Sequence, residues 1–407
     1  MNSFIVNYSI SREVALLKVL TFTTLFPNKI KPNNAIFVYH RMAAVAKYHP
    51  VELKVIAPVP FFPPFRINKK WYEFSCIPKQ ENISGFDVFH PSYVVIPKIG
   101  MSLYGLSMFA GTLKTAKKLY KEFPFDIIDA HFAYPDALAA VLLGKYFKKP
   151  VVISTRGTDI NLYTRFPLIK SLLRYALNSA SHIISVCNDL KQIMLSMGVH
   201  VDISVIPNGI DPKYFKALPM NQCRKQLNLP QDRKIVLSVG SLTEGKGHHV
   251  LIKAVSHILE SGERPPLLCI LGSGPMRNNL EELITEYNLT PYVKLIEEVK
   301  NQELNKWYSA ADLFCLATAR EGWPNVVSES LSCGTPVVAT AANGIPEIII
   351  SDQYGFLVSR TPDNFAEKIQ YSLKHNWDRP KISKFGRQRS WKDVAIEVYS
   401  VFEQVTV

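Results

Sequence analysis

Residues 318–340 read TAREGWPNVVSESLSCGTPVVAT, and the apolar run LFCLA stands immediately before them. LFCLAT reads as a strand, REGWPN as the loop at its carboxyl end, and VVSESLSC as a short helix that Gly334 ends. Thr335-Pro336 then leads into a second strand, VVAT. Both strands are apolar on both faces, as strands of a parallel sheet covered by helices must be. A helix starting near Asn325 aims its unbonded amides at the end of the sheet where α/β proteins bind ligands, and such a helix start holds phosphate. Glu321 stands at the strand tip and Glu329 one turn inside the helix.

The same alternation runs through the whole chain. VALLKVLTF, ELKVIAP, DIIDAHF, PVVISTRG and HIISVC are strand candidates in the first half, and KIVLSVG, LLCILG, VKLIE, LFCLAT and PVVAT in the second. The pattern predicts an α/β chain with two Rossmann-like, doubly wound domains facing a central cleft. The boundary falls at VIPNGIDPKYF (205–215), where Pro207, Asn208-Gly209 and Asp211-Pro212 would break either kind of element. The expected units are 1–208, 209–380 and a helical segment 381–407 lying back across the first domain.

A chain of 407 residues, 47% hydrophobic and 20% charged, has room for two cores of this kind. Its six cysteines are scattered through apolar runs, with neither zinc-like spacing nor a disulfide framework, so buried free thiols in a reducing cytoplasm are expected. Arg12, Glu13 and Lys18 interrupt what a signal peptide would need, and no apolar run is long enough to span a bilayer. The net charge of +13 finds a focus in Lys114, Lys117, Lys118 and Lys121 beside Leu113, Leu119 and Tyr120. Such a helix face suits either plain solvation or an anionic membrane surface. The absence of RNP, zinc-finger and helix-turn-helix patterns argues against nucleic acid as a partner.

Two further loops follow strands in the second half. VGSLTEGKGHHVLIKAV (239–255) places Gly240, Gly245 and Gly247 beside Lys246 just before a helix, a means of holding a diphosphate. LGSGPMRNNL (271–280) carries Gly272 and Gly274 but lacks the third glycine of a dinucleotide fingerprint, so it reads as a second loop lining the same site. Glu321 and Glu329 on either side of a helix start suit a ligand with hydroxyls at both ends and a diphosphate in the middle, and a nucleotide sugar is such a ligand. Its hydroxyls meet carboxylates at both ends and its diphosphate meets amides and a lysine between them.

These stretches resemble the retaining glycosyltransferases of family 4, which have the GT-B fold. The family's E-x7-E pattern stands here as EGWPNVVSE from Glu321 to Glu329, between WYSAADLFCLAT and NGIPEII; TFTTLFPN, DAHFAYPDALAA, STRGTDIN and IPNGID accompany it. The resemblance implies that Lys246 contacts the donor diphosphate, that Glu329 holds the ribose, and that Glu321 with Gly322, Trp323, Pro324, Asn325 and Val326 holds sugar and phosphate. Ser241, Gly272 and Gly274 complete the donor side. His131 in DAHFAYPD corresponds to a histidine that reaches the transferred sugar, so His131, Glu321 and Lys246 are the catalytic candidates. Asn34, Arg156 and Asp159 are the acceptor-side candidates. Three positions depart from the family: Ser241 replaces a frequent arginine, Asn34-Ala35 a glycine, and Glu297 a glycine near the base pocket.

The expected activity is transfer of a sugar, with retention, from a nucleotide-diphosphate donor, UDP foremost, to a saccharide or lipid-linked saccharide in cell-surface polysaccharide synthesis. No cofactor and no metal are expected: Lys246 and the helix start can stabilise the leaving diphosphate, and the lack of an Asp-x-Asp triplet agrees with the metal independence that the resemblance implies. The location would be cytoplasmic or peripheral at the inner membrane face. A nucleotide-sugar epimerase of the same fold and a non-catalytic sugar-nucleotide-binding subunit are the rival readings.

Overall fold

The computed structural model describes residues 16–62, 69–96 and 100–406; Arg12 and Glu13 lie outside them. Two sheets dominate. The first, in spatial order, consists of Ile203–Val205, His182–Ser185, Val151–Thr155, Ile127–His131, Leu17–Phe22, Val51–Ile56, Phe86–Phe89 and Gln80–Ile83. All neighbours are parallel except the last pair. That hairpin is a departure from the expected all-parallel sheet. It turns through Ser84 and Gly85, both at positive φ (47° and 98°), the pairing that a two-residue turn with the right twist requires.

The second sheet runs Val293–Ile296, Leu267–Leu271, Ile235–Val239, Leu313–Leu316, Val337–Thr340 and Gly355–Val358, all parallel. Counted along the chain its order is 3-2-1-4-5-6, and the order reverses between Ile235–Val239 and Leu313–Leu316. In the first sheet it reverses between Leu17–Phe22 and Ile127–His131. Crevices open at such reversals, outside the carboxyl ends of the strands, because successive helices leave to opposite faces there. Each sheet carries an apolar core on both faces, which is why its strands are apolar on both sides.

The segment after residue 380 does two things. Helix Arg379–Gly386 stays on the second sheet, where Ser383 Oγ donates to Ser332 O at 2.6 Å. Helix Trp391–Thr406 then crosses back and buries Val394, Ala395, Val398 and Phe402 against Val38, Met42 and Val45 of helix Ile36–Tyr48. Burying side chains the size of Val394, Val398 and Phe402 stabilises by about 1.5–3 kcal/mol each, so the tail ties the two halves together. The six cysteines are free; five are buried, and Cys76, contrary to expectation, is exposed. Among the described residues no helix is long and apolar enough to cross a membrane.

Candidate functional site

The two reversal points face each other across a cleft of about 520 Å³, lined from the first sheet by Phe37, Phe132 and Arg156 and from the second by Ser241, Lys246, Glu321, Gly322 and Trp323. A second cavity of about 460 Å³, lined by Gly240, Gly272, Glu298, Asn325, Val326 and Glu329, shares Phe37 and Ser241 with it. The space is therefore elongated along the edge of the second sheet. Together the two cavities have the size of small-molecule sites.

The floor is made by backbone packing against backbone. A Cβ on Gly272 would lie 1.9 Å from Gly240 O, one on Gly274 2.5 Å from Leu242 O, and one on Gly247 1.8 Å from Ala317 O. These glycines let the loops after three adjacent strands stack without side chains between them. Leu242 N–H donates to Ser273 O (2.9 Å) and Ala319 N–H to Gly245 O (2.7 Å). Gly272 thus lines the space, while Gly274 is occupied with packing.

Lys246 sits in a short 3₁₀ turn, Glu244–Lys246, ahead of helix His248–Glu260. Its Nζ donates to Glu321 Oε1 at 2.5 Å, with the side chains 29% and 12% exposed. Glu321 is itself fixed, since its N–H donates to Asn343 Oδ1 at 3.0 Å. Helix Asn325–Ser332 begins after Pro324 with no side-chain cap, and its first residues, Asn325 and Val326, line the second cavity. One turn along, Glu329 is 8% exposed and accepts from Tyr308 Oη at 2.8 Å. Burial pushes its carboxyl up to about 7, and the tyrosine bond only partly opposes that. Tyr308 belongs to WYSAAD, a stretch whose sequence alone does not assign the tyrosine a partner.

The first-domain wall differs from expectation. His131 is fully buried and does not line the cleft. Its Nε2 bonds Asp129 Oδ2 at 2.8 Å, and its Nδ1 accepts from Arg156 Nη2. Burial lowers its pKa to about 4, against the opposing pull of Asp129, so the ring is neutral and its Nε2 carries the proton. Asp129 is raised by burial, but His131, Arg41 and Arg156 bring it below the ordinary carboxylate range. The group facing the cleft is Arg156. Its pKa falls to about 9, first through burial and then through Arg41, which leaves it charged at neutral pH. It lies 5.3 Å over the Phe37 ring and donates to Asn208 Oδ1 at 3.3 Å. Asn208 in turn donates to Asn325 Oδ1 at 2.9 Å, a chain of contacts from first domain through hinge to second domain.

Two acceptor-side candidates turn inward. Asp159 is fully buried and accepts the N–H groups of Ala133 (2.8 Å), Arg156 (3.0 Å) and Gly157 (2.7 Å); it organises the loop and does not meet the cleft. Asn34 bonds back to Phe26 O at 3.1 Å. Its neighbours do the facing: Ala35 lines the cleft, and Asn33 donates to Glu298 Oε1 at 2.9 Å across the domains. Ala35 holds φ +46° and ψ +42°, a conformation glycine adopts more readily. Glu298, which also accepts from Ser273 Oγ at 3.1 Å, lines the second cavity; sequence reading pointed to its neighbour Glu297.

At the cleft the domains touch through glycine. A Cβ on Gly322 would come within 1.9 Å of Arg156 O, one on Gly157 within 2.6 Å of Gly322 N, and one on Gly344 within 3.0 Å of Cys187 Cβ. Beside this contact Asn343 donates to Asp189 Oδ2 (2.8 Å), and Glu347 accepts the N–H of Asn188 (2.8 Å) at the start of helix Asn188–Ser196. Asn343 and Glu347 come from NGIPEII, a stretch whose glycine and polar residues gave no hint that they bridge domains.

Comparison with known proteins agrees with this architecture. Residues 76–214 match the family model "Glycosyltransferase Family 4" and residues 220–389 the model "Glycosyl transferases group 1". A Bacillus subtilis (strain 168) protein named as a teichuronic acid biosynthesis glycosyltransferase, TuaC, is 28% identical over 378 residues, which is 90% of this chain and 92% of that one. Sucrose-phosphate synthase (tll1590) from Thermosynechococcus elongatus has the same fold, with a TM-score of 0.77 over 96% of this chain and 99% of its own at 20% identity. Anabaena Alr3699/HepE in complex with UDP gives 0.72 over 95% and 100% at 19%. With one family model on each domain and the two reversal points opposed across a cleft, the protein belongs to the GT-B glycosyltransferases of the family 4 and group 1 type.

Proposed function

We propose that the cleft binds a nucleotide-diphosphate sugar, with UDP as the nucleotide, and transfers the sugar with retention to a hydroxyl of a saccharide or lipid-linked saccharide acceptor. The observation that carries this reading is the line Lys246, Glu321, helix start at Asn325, Glu329 along two adjoining cavities that share Phe37 and Ser241. Ribose hydroxyls donate to Glu329, the diphosphate lies on the Asn325 and Val326 amides beside Lys246, and sugar hydroxyls donate to Glu321. Arg156 approaches from the opposite wall.

In the transfer the bond from the anomeric carbon to the diphosphate oxygen breaks, and a bond from that carbon to the acceptor oxygen forms on the same face. The acceptor proton passes to the departing phosphate. Lys246 and the helix start stabilise the negative charge that gathers there, which is preorganised electrostatic catalysis. These groups serve without a divalent ion. The Anabaena HepE complexes with UDP and with UDP-glucose, and the naming of TuaC for teichuronic acid biosynthesis, support a nucleotide-sugar donor and a polysaccharide product.

The experiment is to incubate the protein with UDP-sugars and chelator, measure UDP release, and determine the anomeric configuration of any product by NMR. Release that persists in chelator and yields the donor's configuration agrees with the reading. Loss on chelation that a metal restores, or an inverted product, contradicts it.

A further inference from the structure

Three helices of the first domain form a surface that the transfer chemistry does not use. Tyr104–Glu122, Asp136–Phe147 and Pro167–Asn178 lie side by side, and lysine–tyrosine contacts stitch them together: Lys117 Nζ is 4.8 Å from the Tyr146 ring, and Lys145 Nζ donates to Tyr175 Oη at 2.7 Å. Lys114, Lys117 and Lys121 follow one stripe of the first helix, all exposed, while Lys170 and Arg174 are exposed on the third. From Ser92 to Asn188 the carboxylates are Glu122, Asp126, Asp129, Asp136 and Asp159. The last three are fully buried, and Asp126 is paired with Lys149. The face is cationic with almost nothing to neutralise it.

Its upper edge is apolar. The first and third helices each run into a parallel strand of the sheet, so their N-terminal ends lie at the strands' carboxyl ends, beside the cleft. There Leu103, Leu106, Phe166 and Leu168 are 56%, 49%, 44% and 61% exposed. The two apolar turns are joined to each other and to the cleft. Tyr134 Oη donates to Met101 O at 2.6 Å, and Phe132, which lines the cleft, meets the Tyr163 ring edge-on at 6.1 Å.

We infer that this three-helix face docks on an anionic lipid bilayer, with the leucine and phenylalanine edge seated in the interface and the lysines over the headgroups. Charge complementarity gives the anionic partner, and the exposed apolar edge selects a bilayer over a soluble polyanion, which has nothing to receive Leu106 and Leu168. The arrangement sets the cleft mouth at the membrane, where an acceptor carried on a lipid would meet it. That consequence rests on the proposed function; the surface itself does not.

The test is co-sedimentation of the full chain with vesicles of phosphatidylcholine alone and of phosphatidylcholine with phosphatidylglycerol, alongside UDP binding by the same preparation. Binding is expected only to the anionic vesicles, weakening as salt rises. Each lysine near such a surface is worth about fivefold in partitioning, so K114E/K117E/K121E should lose at least about a hundredfold. L106S/L168S should lose about tenfold or more, and both variants should bind UDP as the wild type does. Binding that is absent, or equal on neutral vesicles, overturns the inference. So does an L106S/L168S protein that binds vesicles like wild type, because the face would then serve polyanions in general. Vesicle binding by a protein that ignores UDP would overturn the reading of the cleft and leave the docking surface standing.

Discussion

Lys246 Nζ and Glu321 Oε1 are 2.5 Å apart across 75 residues of sequence, joined because their loops leave adjacent strands at the point where the second sheet reverses its order. The ammonium is thus already placed, and balanced, before a diphosphate arrives. Replacing Lys246 by Ala should weaken UDP binding by about 10- to 100-fold, the worth of a charge-assisted contact, while leaving uridine binding within about twofold. Calorimetry with both ligands checks this. Equal losses for UDP and uridine would remove Lys246 from the diphosphate. Glu321→Gln should keep UDP binding and lose transfer.

Glu329 gives a pH prediction. Its carboxyl titrates near 7 in the folded protein, well above the ordinary value, so folding favours the protonated form. The stabilisation it contributes is complete below about pH 4 and is lost as pH rises through about 7, on the order of 3 kcal/mol in all. Ribose hydroxyls need the ionised acceptor, so affinity for UDP-glucose should rise by up to tenfold per pH unit below 7 and level off above. Glu329→Gln should flatten both profiles, raise thermal stability at pH 8 and weaken binding. Unchanged profiles in that variant would assign the titration elsewhere.

Gly322 gives a test of the domain contact. Gly322→Ala would drive a methyl group into Arg156 O, and opening the hinge is the simplest relief. Each sheet should stay folded, with a circular dichroism spectrum like wild type, while scattering shows a larger radius of gyration and kcat/KM falls by at least about 100-fold, the scale of a misplaced catalytic geometry. A compact, fully active variant would show that closure does not depend on this approach.

His131 and Arg156 separate two accounts of the first-domain wall. His131→Ala removes the hydrogen bond that the neutral ring donates to buried Asp129, a change that costs about 1.5–3 kcal/mol in stability. Arg156→Ala should unfold the protein far less readily and reduce transfer more than UDP binding. Thermal melts and steady-state kinetics on both variants check this. A stable His131→Ala protein that binds donor normally but does not transfer would restore the histidine to the reacting sugar.

The sequence carried the second domain most clearly. Strand LFCLAT, the loop, the helix from Asn325 and the Gly334 stop all stand where their spacing put them, because local rules of capping and periodicity decide such elements. Gly85's hairpin escaped notice, since ENISGFDVF alternates too weakly to mark two four-residue strands. The first-domain wall was legible only as a list of polar residues. Whether His131, Asp159 or Arg156 meets the cleft depends on how each strand end and the loop after it fold, and Asp159 is claimed by the backbone amides of Ala133, Arg156, Gly157 and Ile160, which no spacing reveals. Asn208, Asn343 and Glu347 bridge domains, a relationship that single-chain periodicity does not encode.

The central claim is that the cleft is a nucleotide-diphosphate site with Lys246 at the phosphates. Its most direct test is titration calorimetry of UDP into wild type and Lys246→Ala in the presence of chelator. Saturable one-to-one binding to wild type, weakened about 10-fold or more in the variant, is the predicted result. Folded wild-type protein that takes up no UDP, GDP or ADP, or a variant that binds as tightly as wild type, would contradict it.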